Sequence, residues 1–280
     1  MTGNTIRVGK VEIMAVADAA RLAGPCQMVF PHIEASAWTP HAEHLSEDGK
    51  SMNMSITTYV VRSGGKTILI DTGVGAKERP FMPKGRLPEA LIEAGVPLES
   101  IDIVANTHMH VDHVGWHTTQ VGESYLPTFP SSKHLFNRME WEYFTSDAVA
   151  NEPTNAHIRD CVIPIRDVVD IELTEGEYNL TDEITLVPSP GHTIAHQSFV
   201  VRSGGEAAIM WGDVCHHPAQ VTELWSPIFD MNPEQSRETR ERLLQRIEDE
   251  GMLLAAGHFP FPGFGNVVRV EGKRYWRGLE

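Results

Sequence analysis

Four potential metal ligands fall within six consecutive positions of the segment THMHVDHVG: His108, His110, Asp112 and His113. The preceding residues 101–106 (IDIVAN) are apolar and β-branched, which predicts a buried strand. Alternate side chains of an extended chain share a face, so the first two histidines can close on one ion. The other two ligands follow where the backbone turns and can face a second ion. The motif predicts a metal site at a sheet edge rather than a histidine-rich surface loop.

Composition argues against several classes of partner. A formal net charge of −15 disfavours nucleic acid and anionic membranes, because phosphate contacts need clustered Lys and Arg. No apolar run approaches the roughly 18 residues of a membrane span, and the first residues lack the apolar core of a secretion signal. Three scattered cysteines without a CxxC pair predict reduced thiols. We therefore expect a cytoplasmic protein whose partner is a small-molecule substrate.

Strands and helices alternate along the 280 residues without a linker. The patterns predict strands over residues 11–16, 55–61, 67–70, 101–106, 184–188, 197–201 and 207–211, and a further apolar run over 252–256. They predict helices over residues 87–94, 138–144, 155–161 and 233–250, the last with Asn232 as its N-cap and Gly251 at its end. Two strand-rich halves, each followed by helices, predict a layered α/β sandwich forming a single domain over 1–280.

Residues 17–55 are long for a connection and contain Phe30, Trp38 and several prolines. We interpret them as an N-terminal extension with one of two roles. Its aromatic residues either cover a substrate pocket as a lid or contact a second subunit of a homodimer. The sequence leaves both alternatives open.

Other candidate ligands also follow predicted strands: His192 in SPGHT, Asp213 in MWGDV and His258 in AAGHF. A single histidine in this position is more often a hydrogen-bonded structural residue. Together, however, the three supply a third ligand for each ion and a carboxylate able to bridge both. Asp71 ends a strand in the same way, and we expect it to orient a ligand histidine rather than only to form a turn.

Imidazole and carboxylate ligands without a thiolate suit two Zn²⁺ ions per chain and also tolerate iron, manganese or cobalt. Two neighbouring ions can lower the pKa of a shared water toward neutrality and so provide hydroxide. Such a hydroxide can attack a carbonyl or phosphoryl centre without a serine or cysteine nucleophile. Cys215, two residues after Asp213, is more simply a small buried filler than a participant.

In order along the chain, the segments ILIDTG, THMHVDHVG, PGHT, GDV and AGH resemble the motifs of the metallo-β-lactamase superfamily. The resemblance covers roughly residues 11–264 and implies a four-layer αββα sandwich with a metal site at one edge of its two sheets. It implies a first metal set of His108, His110 and His192. It implies a second metal set of Asp112, His113 and His258, with Asp213 bridging both metals.

Within the superfamily, the sequence is most similar to the methyl parathion hydrolase and quorum-quenching lactonase group. N-acyl-homoserine lactonases typically place a tyrosine three residues after the bridging aspartate, where this chain has His216. This histidine can donate a hydrogen bond or a proton to a leaving oxygen, and the alternative is a surface loop residue. The catalytic candidates are therefore Asp112, Asp213 and His216.

Aromatic residues at loop positions after the motifs predict an apolar pocket wall, with the alternative that each covers the sandwich edge: Trp116, Trp225, Phe229, Phe259, Phe261 and Phe264. The predicted function is a dinuclear metal-dependent hydrolase, most simply a zinc enzyme, in which a metal-bridging hydroxide opens a small apolar lactone or ester. The alternatives are a phosphotriesterase of the methyl parathion hydrolase type, a β-lactamase-like hydrolase, and a non-catalytic metal-binding interaction protein.

Overall fold

Two seven-stranded sheets form the framework of the computed structural model, which describes residues 4–80 and 82–279. Residues 1–3, 81 and 280, which the predicted domain includes, lie outside the described residues. The first sheet contains, in spatial order, β1 (Thr5–Val8), β2 (Val11–Pro25), β3 (Ser51–Ser63), β4 (Lys66–Ile70), β5 (Ile103–Ala105), β8 (Lys133–Asn137) and β9 (Asp170–Thr174). The second contains β10 (Tyr178–Asn179), β11 (Ile184–Pro188), β12 (Gln197–Ser203), β13 (Glu206–Met210), β14 (Leu253–Ala255), β15 (Phe264–Val270) and β16 (Lys273–Gly278). A small ribbon pairs β6 (Thr118–Val121) with β7 (Ser124–Pro127).

Helices lie on the outer faces of both sheets. The α-helices are α1 (Cys26–Val29), α2 (Leu87–Glu93), α3 (Arg138–Phe144), α4 (Asp147–Ala150), α5 (Ala219–Glu223) and α6 (Pro233–Glu250). The helix predicted over 155–161 is a π-helical turn, Ile158–Val162, between two short 3₁₀ turns. Among the described residues, no helix combines the length and the apolar character needed to cross a membrane.

Side chains point alternately to the two faces of each strand, and this alternation explains the four layers. In β4, Ile68 and Ile70 pack between the two sheets, whereas Leu69 faces outward and packs with Leu87 and Leu91 of α2. The second sheet follows the same rule, since its outward residues pack against Leu243, Leu244 and Ile247 of α6. Fully burying one such aliphatic side chain stabilises the fold by roughly 1.5–3 kcal/mol. The predicted αββα sandwich is confirmed.

Helix α6 begins and ends as its sequence predicts. The Asn232 side chain accepts a hydrogen bond from Gln235 N at 3.1 Å, and Pro233 occupies the first turn. Gly251 ends the helix with a φ of 60°, a left-handed conformation that costs glycine little. These end signals are local in sequence, which explains why both bounds were predicted correctly.

Residues 17–55 differ from the prediction. β2 continues to Pro25 and β3 already starts at Ser51, and the two strands pair along this length despite irregularities near Ala17 and Ala19. Only residues 26–50, here called the excursion, leave the sheet. Phe30 and Trp38 are buried in a small apolar cluster with Trp225, with Trp38 and Trp225 ring centroids 4.9 Å apart. Phe30 and Trp38 therefore pack within this cluster, and both predicted roles of the segment, a lid or a subunit contact, stay predictions.

Candidate metal centre

The candidate ligands meet because the strands that precede them end at the same edge of the sandwich. Parallel pairing joins β4 to β5 in one sheet and β13 to β14 in the other. Asp71 directly follows β4, and the segment 107–113 follows β5. Asp213 and His258 follow β13 and β14 within three residues, and His192 follows β11. Each sheet therefore supplies part of one site.

The Asp213 carboxylate lies at the centre of this site. Its Oδ2 is 3.2 Å from His192 Nε2 and 3.6 Å from His108 Nε2. Its Oδ1 is 3.1 Å from both His113 Nε2 and His258 Nε2. One oxygen thus faces each histidine set, which is the arrangement that a bridging carboxylate requires.

The remaining two candidates complete the sets. His110 Nδ1 is 2.9 Å from His192 Nε2, and Asp112 Oδ2 is 3.4 Å from His258 Nε2. Possible ligand atoms lie within 4.8 Å of one another in each of three groups: His108, His110, His192 and Asp213; Asp112, His113 and His258; and Asp213, His216 and His258. The structure therefore brings all seven sequence-predicted ligands together in the predicted grouping.

Buried polar atoms that form no hydrogen bond indicate which kind of ligand this cluster could bind. Within the described part of the chain, His108 Nε2, His113 Nε2, His258 Nε2 and Asp213 Oδ1 are buried and, despite the short distances between them, form no hydrogen bond. A buried polar atom without a partner costs about 1–3 kcal/mol, so four at one point call for a ligand. Imidazole nitrogens and carboxylate oxygens are donors for zinc and related divalent ions. The residues fit a pair of such ions, and metal binding itself stays a prediction.

Hydrogen bonds on the far side of the rings orient the histidines. His113 Nδ1 is 2.9 Å from Asp71 Oδ2, as expected from the position of Asp71 after β4. Asp71 also accepts hydrogen bonds from the backbone N and Oγ1 of Thr107, both at 2.8 Å, and has a φ of 61°, which is strained for a non-glycine residue. His258 Nδ1 donates to the Ser55 carbonyl at 3.0 Å. His192 Nδ1 donates to Asp230 Oδ1 at 2.9 Å. No sequence pattern marks Ser55 or Asp230 as part of this site.

Three further buried polar side chains, also missed from the sequence, hold the backbone of the ligand segments. His157 Nε2 donates to the Met109 carbonyl between two ligands at 3.1 Å. Glu140 accepts from Ala195 N at 2.7 Å and so fixes the segment after His192. His196 Nε2 accepts from the backbone N of Asp213 at 3.0 Å. No motif marks these residues, although His196 stands four positions after His192.

Electrostatics at the site favour a strongly ionised Asp213. Burial alone would raise the pKa of this carboxyl, but the surrounding imidazoles, His113 and His258 first, hold it well below its usual value. Burial would lower the pKa of His192, yet hydrogen bonds to Asp213 and Asp230 raise it to about 9. Burial lowers the pKa of His108 well below its usual value. The centre therefore combines an anionic bridge with a mixture of charged and neutral imidazoles.

A cavity of about 770 Å³ opens directly onto the centre. Its polar end comprises His110, Asp112, His192, Asp213, His216 and His258. Its other walls are mostly apolar and come from the end of β2, the excursion, the start of β3 and the loop before α6, including Leu22, Met28, Val29, Met54, Ile228 and Phe229. The geometry suits a small molecule with a polar reactive group and an apolar remainder.

Only Phe229 of the six predicted wall aromatics lines this cavity. The prediction was wrong for the others, because the fold uses them elsewhere. Trp116 is buried and donates to Asp18 at 2.8 Å, and Trp225 packs on the excursion. Phe259 and Phe264 are buried in the two cores of the second sheet, and Phe261 is exposed outside the wall. Cys215 is fully buried, which agrees with a filler.

His216 is buried in the cavity wall, only 3% exposed, so it is not a surface loop residue. Its Nε2 lies 3.0 Å from Asp213 Oδ2, and its ring packs edge-on against Phe229 with centroids 4.7 Å apart. Burial lowers the pKa of His216 to about 4, so the imidazole is neutral near pH 7. A neutral ring carries one N–H, and the hydrogen bond to Asp213 uses it in this structure.

Fold and site together define an αββα protein with a paired histidine–carboxylate centre at the sandwich edge. The family model of the metallo-β-lactamase superfamily matches residues 53–258, and the chain belongs to this superfamily.

Its relatives are distant in sequence. The chain is 21% identical over 253 residues to the N-acyl homoserine lactonase AiiA of Bacillus thuringiensis subsp. kurstaki, covering 84% of this chain and 90% of that protein. It is 29% identical over 182 residues to the N-acyl homoserine lactonase AttM of Azorhizobium caulinodans, covering 61% and 63%. 

Two solved structures share the fold over nearly the full chain. The hydrolase AbOPH has a TM-score of 0.81 at 23% identity, covering 99% of this chain and 97% of that one. The dizinc quorum-quenching lactonase AidC has a TM-score of 0.82 at 18% identity, with the same coverage.

Proposed function

We propose that this chain is a metal-dependent hydrolase that opens a small apolar lactone or ester. Two divalent ions, most simply Zn²⁺, would be held by the two ligand sets described above. One observation carries the proposal: the two oxygens of Asp213 face different histidine sets at the polar end of a mostly apolar cavity. A lone structural histidine cluster has no need of either the bridge or the cavity.

Bound at these positions, such ions would polarise a carbonyl oxygen and make water a stronger nucleophile at neutral pH. The chain's own residues supply the rest. Asp213 Oδ2 orients the His216 ring by accepting from Nε2 at 3.0 Å. Because burial keeps this ring neutral, it carries a single N–H. His216 would therefore stabilise the leaving oxygen by turning its Nε2–H from Asp213 to that oxygen, and not by acting as an imidazolium acid.

The apolar wall would bind the non-reacting part of the substrate. Met28, Met54 and Ile228 line the cavity without offering charged groups, so they would favour an apolar substituent. An apolar substituent bound against this wall would displace water from the polar end, which would strengthen the hydrogen bonds made there. The net charge of −15 supports a small-molecule partner in preference to nucleic acid.

The relatives are named lactonases, which supports a lactone as the substrate. Because His216 stands where those lactonases have a tyrosine, activated esters and phosphotriesters stay candidate substrates as well. The test is a screen of the Zn²⁺-, Mn²⁺- or Co²⁺-loaded chain against lactones, aryl esters, aryl phosphotriesters and a β-lactam. We expect the highest kcat/KM on a lactone or ester with an apolar substituent and loss of turnover in Asp213→Ala. Phosphotriesters turned over fastest would support the alternative hydrolase. Tight metal binding with no turnover of any class would overturn the enzymatic proposal.

A further inference from the structure

Arg240 is a fully buried arginine at the centre of α6. Its Nε donates to the Val214 carbonyl at 2.7 Å, directly after the bridging Asp213. Its Nη1 donates to the carbonyls of Leu224 and Trp225 at 3.1 and 2.8 Å. A buried charge is costly unless it is paired and hydrogen-bonded, so this geometry is maintained only by a well-ordered surrounding.

The second terminal nitrogen of Arg240 contacts Asp230, which in turn contacts the candidate metal centre. Its Nη2 lies 3.1 Å from Ser236 Oγ and 3.5 Å from Asp230 Oδ2. The other oxygen of Asp230 accepts from His192 Nδ1 at 2.9 Å. The side chains of Arg240 and Asp230 are both completely shielded from solvent. A continuous line of buried polar contacts therefore joins α6 to a ligand of the first metal set.

We propose that Asp230 and Arg240 are positioning residues for the first metal set, composed of His108, His110 and His192. Asp230 holds the His192 proton on Nδ1, which leaves the Nε2 lone pair directed into the site. Arg240 fixes Asp230 and the backbone beside Asp213 against the rigid helix. This inference deepens the proposed function and rests on its metal centre.

The second set has a different support, which makes the two separable. Asp71 orients His113 there, and it is held by hydrogen bonds from Thr107 rather than by a buried arginine. Asp230 and Asp71 thus each orient one ligand histidine, but in different metal sets. Replacing either acid with its amide keeps the side-chain volume but removes the charge that favours a ring N–H donor.

The experiment measures Co²⁺ binding to the full-length chain by absorption spectroscopy and chelator competition. His110→Ala and Asp112→Ala assign the two binding steps to the first and second sets. We expect Asp230→Asn to weaken the first-set step about 10–100-fold and to leave the second within about threefold. Asp71→Asn should give the opposite pattern, which makes it the matched control.

Arg240 is tested by Arg240→Met and by the milder Arg240→Lys, with Arg237→Met as the control at an exposed position of the same helix. Arg240→Met should weaken the first-set step and change its Co²⁺ absorption bands, whereas Arg237→Met should change neither. Urea unfolding of the metal-free variants separates lost positioning from lost folding. If Arg240→Met does not fold, Arg240→Lys decides the role of Arg240, and the isosteric Asp230→Asn decides that of Asp230.

Two failures remain distinguishable. A wild-type chain that binds no Co²⁺ would contradict the proposed metal centre. A wild-type chain that binds two ions, with both steps unchanged or equally weakened in Asp230→Asn, would overturn the positioning role alone.

Discussion

The imidazole of His216 stacks on the imidazole of His258, with ring planes 11° apart and centroids 5.2 Å apart. Phe229 packs against the open side of His216, and Asp213 accepts from its Nε2. The ring is therefore held between a candidate metal ligand and the apolar wall of the cavity. From this position we expect His216 to influence which leaving groups are tolerated.

His216→Ala should lower turnover of lactones by about 10²-fold or more, and turnover of activated aryl esters and phosphotriesters much less. An alkoxide leaving group needs the Nε2 hydrogen bond, whereas a phenolate needs little assistance. His216→Tyr should preserve lactone opening because a phenol donates the same bond. Steady-state kcat on both substrate types checks this, and equal small losses would reduce His216 to a packing residue.

Elemental analysis of the metal-loaded chain should give about two ions per chain, because Asp213 presents one oxygen to each set. Asp112→Ala should retain about one ion, bound by the first set. His110→Ala should also retain about one ion, bound by the second set. A wild-type chain that is fully active with one ion would contradict the two-metal arrangement.

Metal binding should release protons. Without metal, His192 has its pKa raised to about 9 from 6.5, so it is charged at pH 7.5 and must lose the Nε2 proton to bind an ion. Affinity should therefore rise with pH up to about 9. In the metal-free chain this histidine's stabilising contribution is complete below pH 6.5 and is lost as pH rises through about 9. Calorimetry in buffers of different ionisation enthalpy measures the release, and buffer-independent heats would refute it.

Trp38→Ala should lower the free energy of unfolding by about 3–5 kcal/mol, because Trp38 is only 3% exposed. It should also raise KM for apolar substrates more than it lowers kcat, because the excursion forms part of the apolar cavity wall and no part of the polar end. Urea unfolding and steady-state kinetics are the measurements. Phe199→Ala, fully buried between the sheets, is the control: similar destabilisation with an unchanged KM. A KM increase in both variants would show only general loosening.

The grouping of the candidate ligands was predictable because each lies just past a strand, and strand ends meet at a common edge. That rule and the residue types were enough to predict His192, Asp213 and His258 as ligands. Asp230 did not follow it, because it lies in an irregular loop 38 residues from the ring it orients. A long-range hydrogen bond of this kind has no local pattern in the sequence.

The aromatic predictions failed for a related reason. Proximity in sequence to a metal motif placed Trp116 and Phe259 near the cavity, but side-chain direction sent both into cores. The strands β15 and β16 were missed for different reasons. β16 is rich in charged, partly exposed residues, whereas the three valines of β15 follow a glycine and an asparagine and are themselves partly exposed. Their pairing with the rest of the second sheet, rather than their own composition, makes them extended.

The pairing of β2 with β3 through Pro25 and Ser51 brings the ends of the excursion together independently of what lies between them. The entropy of closing that loop therefore depends only weakly on its length. Residues 26–50 can thus vary in length at a small entropic cost, provided that a replacement keeps the apolar contacts that Phe30 and Trp38 make with Trp225. A graft at these two residues is the natural route to a catalyst with the same reactive centre and a new substrate range.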